Sequence, residues 1–140
     1  MKYRVTFVIC LVSVLGFSQE VTGKWKTIDD VTGEARSVVE IYEDDGKVYG
    51  KIAELIDPKE PNPICDACKG EDKNQPVIGL VIIKGLEKDE EEYNGGKILD
   101  PESGKLYKCY ITLDEENKLK VRGFVGFSLF GRTQYWYRVE

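Results

Sequence analysis

A chain of 140 residues has room for one domain, and this one contains no histidine, which excludes Ser-His-Asp and Cys-His catalysis and every His-ligated metal site. Acidic residues outnumber basic ones, 25 to 20. The surplus disfavours a phosphate backbone as partner, so no nucleic acid is expected.

Lys2 and Arg4 precede Val5–Phe17, an uncharged apolar run of thirteen residues. A bilayer span takes about 20, so the run is too short to be one. Gly16 and Ser18 then supply the small residues of a secretory cleavage site. Residues 1–18 therefore read as a signal peptide and residues 19–140 as one exported domain, periplasmic or secreted. Without the signal the chain keeps 18 basic residues against 25 acidic, a net charge of −7, and is not expected to span a membrane. Three cysteines remain in it: Cys65, Cys68 and Cys109.

From Gly23 the chain reads as short extended segments separated by turn chemistry. Gly23–Asp29 comes first, followed by a turn at Asp30–Gly33. Glu34–Tyr42 alternates, with Ala35, Ser37, Val39 and Ile41 on one face, the pattern of a half-buried strand. Asp44-Asp45-Gly46 offers the positive φ of a tight hairpin, and Lys47–Ile56 returns. Val77–Lys84 is the most apolar run, Glu87–Glu92 reads as a solvated loop, and Gly96–Leu99 is a short strand. After a turn at Asp100–Gly104, Lys105–Leu113 places Tyr107, Cys109, Ile111 and Leu113 on one face. Lys118–Val125 and Gly131–Val139 complete the set. No window carries a convincing helical period. Eight strands with short returns predict an all-β fold, a single antiparallel up-and-down eight-stranded barrel, because closure removes exposed edges. An open sandwich is the rival arrangement.

Asp57–Pro76 interrupts the pattern with four of the five prolines and the pair Cys65 and Cys68. A structureless loop of that length is either a lid or a pinned flap. A redox pair would need its first thiol at a helix N-terminus, and no helical period follows. Zinc could draw on Cys65, Cys68 and Cys109, with Asp66 as a fourth ligand, but the alternation places Cys109 in the barrel interior. The reading preferred here is an oxidised Cys65–Cys68 pair that staples the loop, with no metal and no cofactor.

The two ends of the chain carry the densest polar and aromatic chemistry. Trp25, Thr27 and Asp29 share a parity on the first strand; Arg132, Gln134, Trp136 and Arg138 share one on the last. Closure makes these strands neighbours. Trp25, Asp29, Arg132, Gln134, Trp136 and Arg138 are therefore the candidate ligand-binding residues. Two cations face one anion, which leaves a guanidinium over for an anionic head group. The competing role is a structural plug in which Arg stacks on Trp.

The stretches GKWKTIDDVTGEARS, DDGKVYGKI, VIGLVIIKGL, NGGKILDPESGKLYKC, LKVRGFVG and GRTQYW, with the CDAC loop, resemble the bacterial domain of unknown function 2147 family. That resemblance covers nearly all of the mature chain and implies a small exported bacterial protein with no established activity. Tyr93 stands where the resemblance implies Trp, and the loop cysteines are not general in the family. Gly23-Lys24-Trp25 and the late arginines also resemble the calycin pattern, lipocalins included. There a first-strand Trp packs against a last-strand Arg, which implies a structural role for Trp25 with Arg138 or Arg132.

The leading functional expectation is an exported, non-enzymatic barrel that binds a small amphipathic or anionic molecule, with the Asp57–Pro76 flap over one mouth. The alternative is a cell-envelope protein-interaction module with a filled core. An enzyme would have to work with carboxylates such as Asp29 or Asp100, or with the cysteines. Interior volume separates the first two, since a ligand needs about 300 Å³ or more.

Overall fold

The computed structural model describes residues 20–139, so the signal peptide read from residues 1–18 lies outside the described residues. Eight antiparallel strands follow one another: β1 (Gly23–Ile28), β2 (Ala35–Asp44), β3 (Lys47–Leu55), β4 (Val81–Asp89), β5 (Glu92–Leu99), β6 (Leu106–Glu115), β7 (Lys118–Phe124) and β8 (Gly131–Arg138). They pair in chain order and close into a barrel. The closing seam sets Trp25 against Arg138 and Lys26 against Tyr137. An up-and-down barrel, not an open sandwich, is the outcome.

Alternation decides what fills the interior. Trp25, Val39, Ile41, Val48, Ile83, Ile111, Leu119 and Trp136 are among the buried side chains of one continuous core. Cys109 belongs to it, and burial pushes its thiol up to about 12, so it stays protonated and inert at neutral pH.

Two segment boundaries differ from the sequence reading. Val77–Ile78 precede β4 instead of opening it, because Gly79 takes φ +93 and breaks the extended run. The acidic stretch Glu87–Glu92 is a hairpin and not a loop: Glu87–Asp89 end β4, Glu92 opens β5, and Asp89 pairs with Glu92. The turn residue Glu90 takes φ +59 without a glycine or asparagine to announce it.

Strand direction sorts the connections onto two ends. The turns after β2, β4 and β6 are tight and lie at one end. That end is closed by Glu20–Thr22, where Trp25 Nε1 donates to the Val21 carbonyl at 2.8 Å. Arg138 lies with its guanidinium carbon 4.3 Å from the centroid of Trp25 and donates to the carbonyls of Glu20, Thr22 and Glu116. The calycin-like Trp–Arg contact is therefore made by Arg138, and Arg132 takes no part in it.

The long connections, after β1, β3, β5 and β7, lie at the other end. The β3–β4 connection is a pinned flap. Cys65 and Cys68 form a disulfide with Cα atoms 5.3 Å apart. Cys65 N–H donates to Gln75 and Asn74 N–H to Cys65, a miniature ladder across the flap. A short 3-10 turn at Gly70–Asp72 is tied to β4 by Lys84 Nζ and the Asp72 carboxylate at 2.6 Å. Both cysteines are buried against the core cluster with Val77, Leu80, Ile82 and Leu99. Replacing the pair by alanine should remove about 2 kcal/mol, the chain-entropy contribution of so short a closed ring. Chemical denaturation of the double variant checks this, and an unchanged midpoint would mean that Lys84–Asp72 and the ladder hold the flap alone.

Candidate functional site

The open end holds a cavity of about 1010 Å³, walled by the ends of β1, β2, β3 and β8 and by the flap. Ile52, Leu55, Leu99 and Trp136 give it an apolar floor and sides. The closed half below is packed, so a filled interior describes only part of the barrel.

On the deep wall Thr27 and Ser37 face each other across β1 and β2, 7 % and 8 % exposed, with their hydroxyl oxygens 2.8 Å apart. Two hydroxyls carry two protons, and the bond between them uses one. One donor is left at the cavity wall. Neither residue stood among the sequence candidates, although both were already placed on the right strand faces. Serine and threonine on a strand carry no signal that distinguishes a cavity wall from an ordinary core position.

The six sequence candidates separate into two groups. Asp29, Arg132, Gln134 and Trp136 line the cavity. Trp25 and Arg138 do not; they close the opposite end, since β1 and β8 run the full height of the barrel. One shared parity therefore delivered residues to both mouths.

The polar pairing at the rim also differs from expectation. Arg132 binds Asp30, not Asp29, through Nε to Oδ2 at 2.8 Å and a second nitrogen to Oδ1 at 2.6 Å. This fork raises the pKa of Arg132, first through the hydrogen bond and then through the charge of Asp30. Gln134 accepts from Trp136 Nε1 at 3.1 Å and turns its amide N–H₂ toward Asp30 at 3.4 Å. Asp29 instead caps its own turn, accepting from the N–H groups of Val31 and Thr32 at 2.8 and 3.0 Å. The Thr32 and Val31 hydrogen bonds, with Arg36 and Arg132 further off, hold its carboxyl below the ordinary value. β1 ends at Ile28 after a register shift, so parity no longer applies by Asp29.

Among the described residues no guanidinium at the seam or the cavity is left over. Arg138 is saturated by carbonyls, Arg132 by Asp30, and Arg36 is paired with Glu102 and lies 3.8 Å from Asp29. The cavity lining as a whole carries eight carboxylates against the three cations Arg36, Lys59 and Arg132. Its field is negative, the reverse of what the seam composition suggested.

This barrel is similar in fold to a solved structure described as protein HP1028 from the human pathogen Helicobacter pylori, which belongs to the lipocalin family. The TM-score is 0.76 at 22% identity, with 86% of this chain and 84% of that chain covered. No curated protein matches the chain. The stretches that build the eight strands match a family model from the first strand to the last. Over residues 23–138 the chain belongs to the family described as uncharacterized protein conserved in bacteria (DUF2147), with a lipocalin-like barrel as its architecture.

Proposed function

We propose that this protein is an exported, non-enzymatic carrier or sensor that holds one small amphipathic molecule in the open end of its barrel. The observation that carries this reading is the cavity, which at about 1010 Å³ has the capacity for a ligand of drug or lipid-fragment size. Ile52, Leu99 and Trp136 would receive its apolar part, and the free donor of the Thr27–Ser37 pair would bind a carbonyl, ether or hydroxyl oxygen. The head group is neutral or cationic, because an anion would meet an acidic rim whose arginines are already engaged. Among the predicted residues Arg132, Gln134 and Trp136 keep a binding role in this proposal, with Arg132 and Asp30 framing the mouth. The buried disulfide fits an oxidising compartment, which supports export. Asp29 is assigned a structural part in this proposal, because its carboxylate is engaged by the N–H groups of Val31 and Thr32.

Native mass spectrometry of protein purified from an exporting host, set against the denatured mass, tests the proposal. A bound organic mass is the expected result. Thr27→Val/Ser37→Ala removes both hydroxyls at once, so no buried polar group is stranded and stability should stay nearly unchanged. Retention of the bound mass should fall about tenfold, the worth of one hydrogen bond. A bare wild-type chain under gentle conditions, with no small amphiphile binding in titration, would overturn the carrier reading.

A further inference from the structure

We infer that the β7–β8 hairpin is a docking surface for an anionic lipid bilayer, with the loop at its tip entering the interfacial layer. The inference rests on the hairpin alone and does not need the cavity to be occupied.

Charge is segregated along this chain. Residues 117–139 contain no aspartate or glutamate, although the whole sequence has 25, and they carry Lys118, Lys120, Arg122, Arg132 and Arg138, of which Lys118 is paired with Asp114, Arg132 with Asp30, and Arg138 is taken up by backbone carbonyls. A local cationic surface in a protein of net negative charge can turn only that side toward an anionic partner, since the remainder is repelled.

The tip adds the apolar half. Val125, Phe127, Leu129 and Phe130 are 66 to 80 % exposed in one six-residue loop without a charge. So many large apolar side chains in one exposed loop are more than single scattered surface residues, and they mark a surface built for contact. Nor is the loop merely loose. Arg122 Nε donates to the Ser128 carbonyl at 2.7 Å, and its terminal nitrogens donate to Leu129 and Thr133. Phe130 N–H donates to Phe127, and Val125 N–H to Phe130. The backbone is satisfied internally while the side chains point outward.

Behind the tip the outer wall has the composition of a bilayer interface belt. Lys108 on β6 stands beside Phe124 and is exposed. Lys120 lies 5.6 Å from the Tyr110 ring, and Tyr135 remains open to solvent. Amphipathic rings with lysines at headgroup depth and apolar side chains beyond them are what an anionic interface accommodates. Of the acids in the flanking turns, Asp30 and Glu102 are held by Arg132 and Arg36, while the other rim carboxylates leave that end negative, so attraction to an anionic surface rests on the lysines of the outer wall. An anionic bilayer matches both halves of this surface, offering negative headgroups to Lys108 and Lys120 and an apolar layer to the tip.

The test is flotation of the mature protein with vesicles of phosphatidylcholine, with and without about one-third phosphatidylglycerol. Binding is expected only with phosphatidylglycerol present, and it should fall about tenfold in high salt. Phe127→Ser/Leu129→Ser and Lys108→Glu/Lys120→Glu should each weaken it about tenfold. Melting temperature should hold in the loop variant, whose side chains are exposed. Four results would overturn the inference: no binding to the anionic vesicles, equal binding to both compositions, binding indifferent to the loop variant, or a loop-dependent dimer in place of vesicle binding.

Discussion

Replacing Arg138 with alanine is expected to destabilise the barrel by about 3 kcal/mol, a melting-temperature drop of roughly 10 °C for a domain of this size. Its guanidinium covers the fully buried Trp25 ring at 4.3 Å and gathers three backbone carbonyls, those of Glu20, Thr22 and Glu116. Truncation removes these hydrogen bonds, of which only the one to Thr22 is part-buried, and loosens the segment that closes the barrel. It also removes the aliphatic stem that packs there. Lysine at the same position keeps the charge but not the planar fork, so only partial recovery is expected. Arg132→Ala supplies the contrast. Its side chain is 66 % exposed, and such surface pairs contribute about 0–1 kcal/mol, so its melting temperature should move by no more than about 3 °C. Thermal unfolding followed by circular dichroism reads both variants. Equal shifts would mean that the two arginines share one structural role and that Arg138 is no special closure.

Alanine at Gly104 should lift the flap while leaving the strands paired. Gly104 has φ +71, where an L side chain costs about 1–2 kcal/mol. A Cβ there would also lie 1.9 Å from the Ala67 carbonyl oxygen and 2.8 Å from the Cys68 nitrogen. Both are backbone atoms of the flap, so no rotamer change relieves the overlap. Either the Asp100–Gly104 turn or the flap has to give, and the two lose their contact in both cases; displacing the flap uncovers the disulfide, Val77, Leu80 and Ile82. The combined loss should reach about 3 kcal/mol or more. Limited proteolysis is the sharper measurement. Cleavage within Asp57–Pro76 should accelerate strongly, while amide exchange in β6–β8 stays slow. A variant cut no faster than the parent would show that the flap does not depend on its seat against Gly104. Because the flap forms one wall of the cavity, the same variant should also release any bound small molecule faster.

Much of this architecture was legible from residue order. Alternation in β2, β6 and β7 sorted the side chains into two faces, and the turn chemistry at Asp44–Gly46 and Asp100–Gly104 separated the strands, because a pleated strand has a period of two and a tight turn needs particular φ values. Where those signals fell silent the reading slipped. Glu87–Glu92 hid a hairpin whose turn residue, Glu90, adopts a positive φ without help from glycine. Gly79 ended an apolar run that looked continuous. The acid-free character of residues 117–139 was in plain view, but composition alone gives no reason to expect its apolar tip to stand clear of the protein.

The sequence by itself determined the class of fold, the absence of histidine chemistry and the residues gathered at the closing seam, and it left the stapled flap as the preferred of several readings. Local rules suffice for these: side-chain parity, turn geometry and the reach of two cysteines three residues apart. Only the tertiary structure decided which end of the barrel each seam residue serves, that Asp30 and not Asp29 engages Arg132, and that the surviving cavity is acidic. Those outcomes depend on strand tilt and on where each strand stops. Side-chain parity repeats along the whole height of a barrel and cannot distinguish its two mouths.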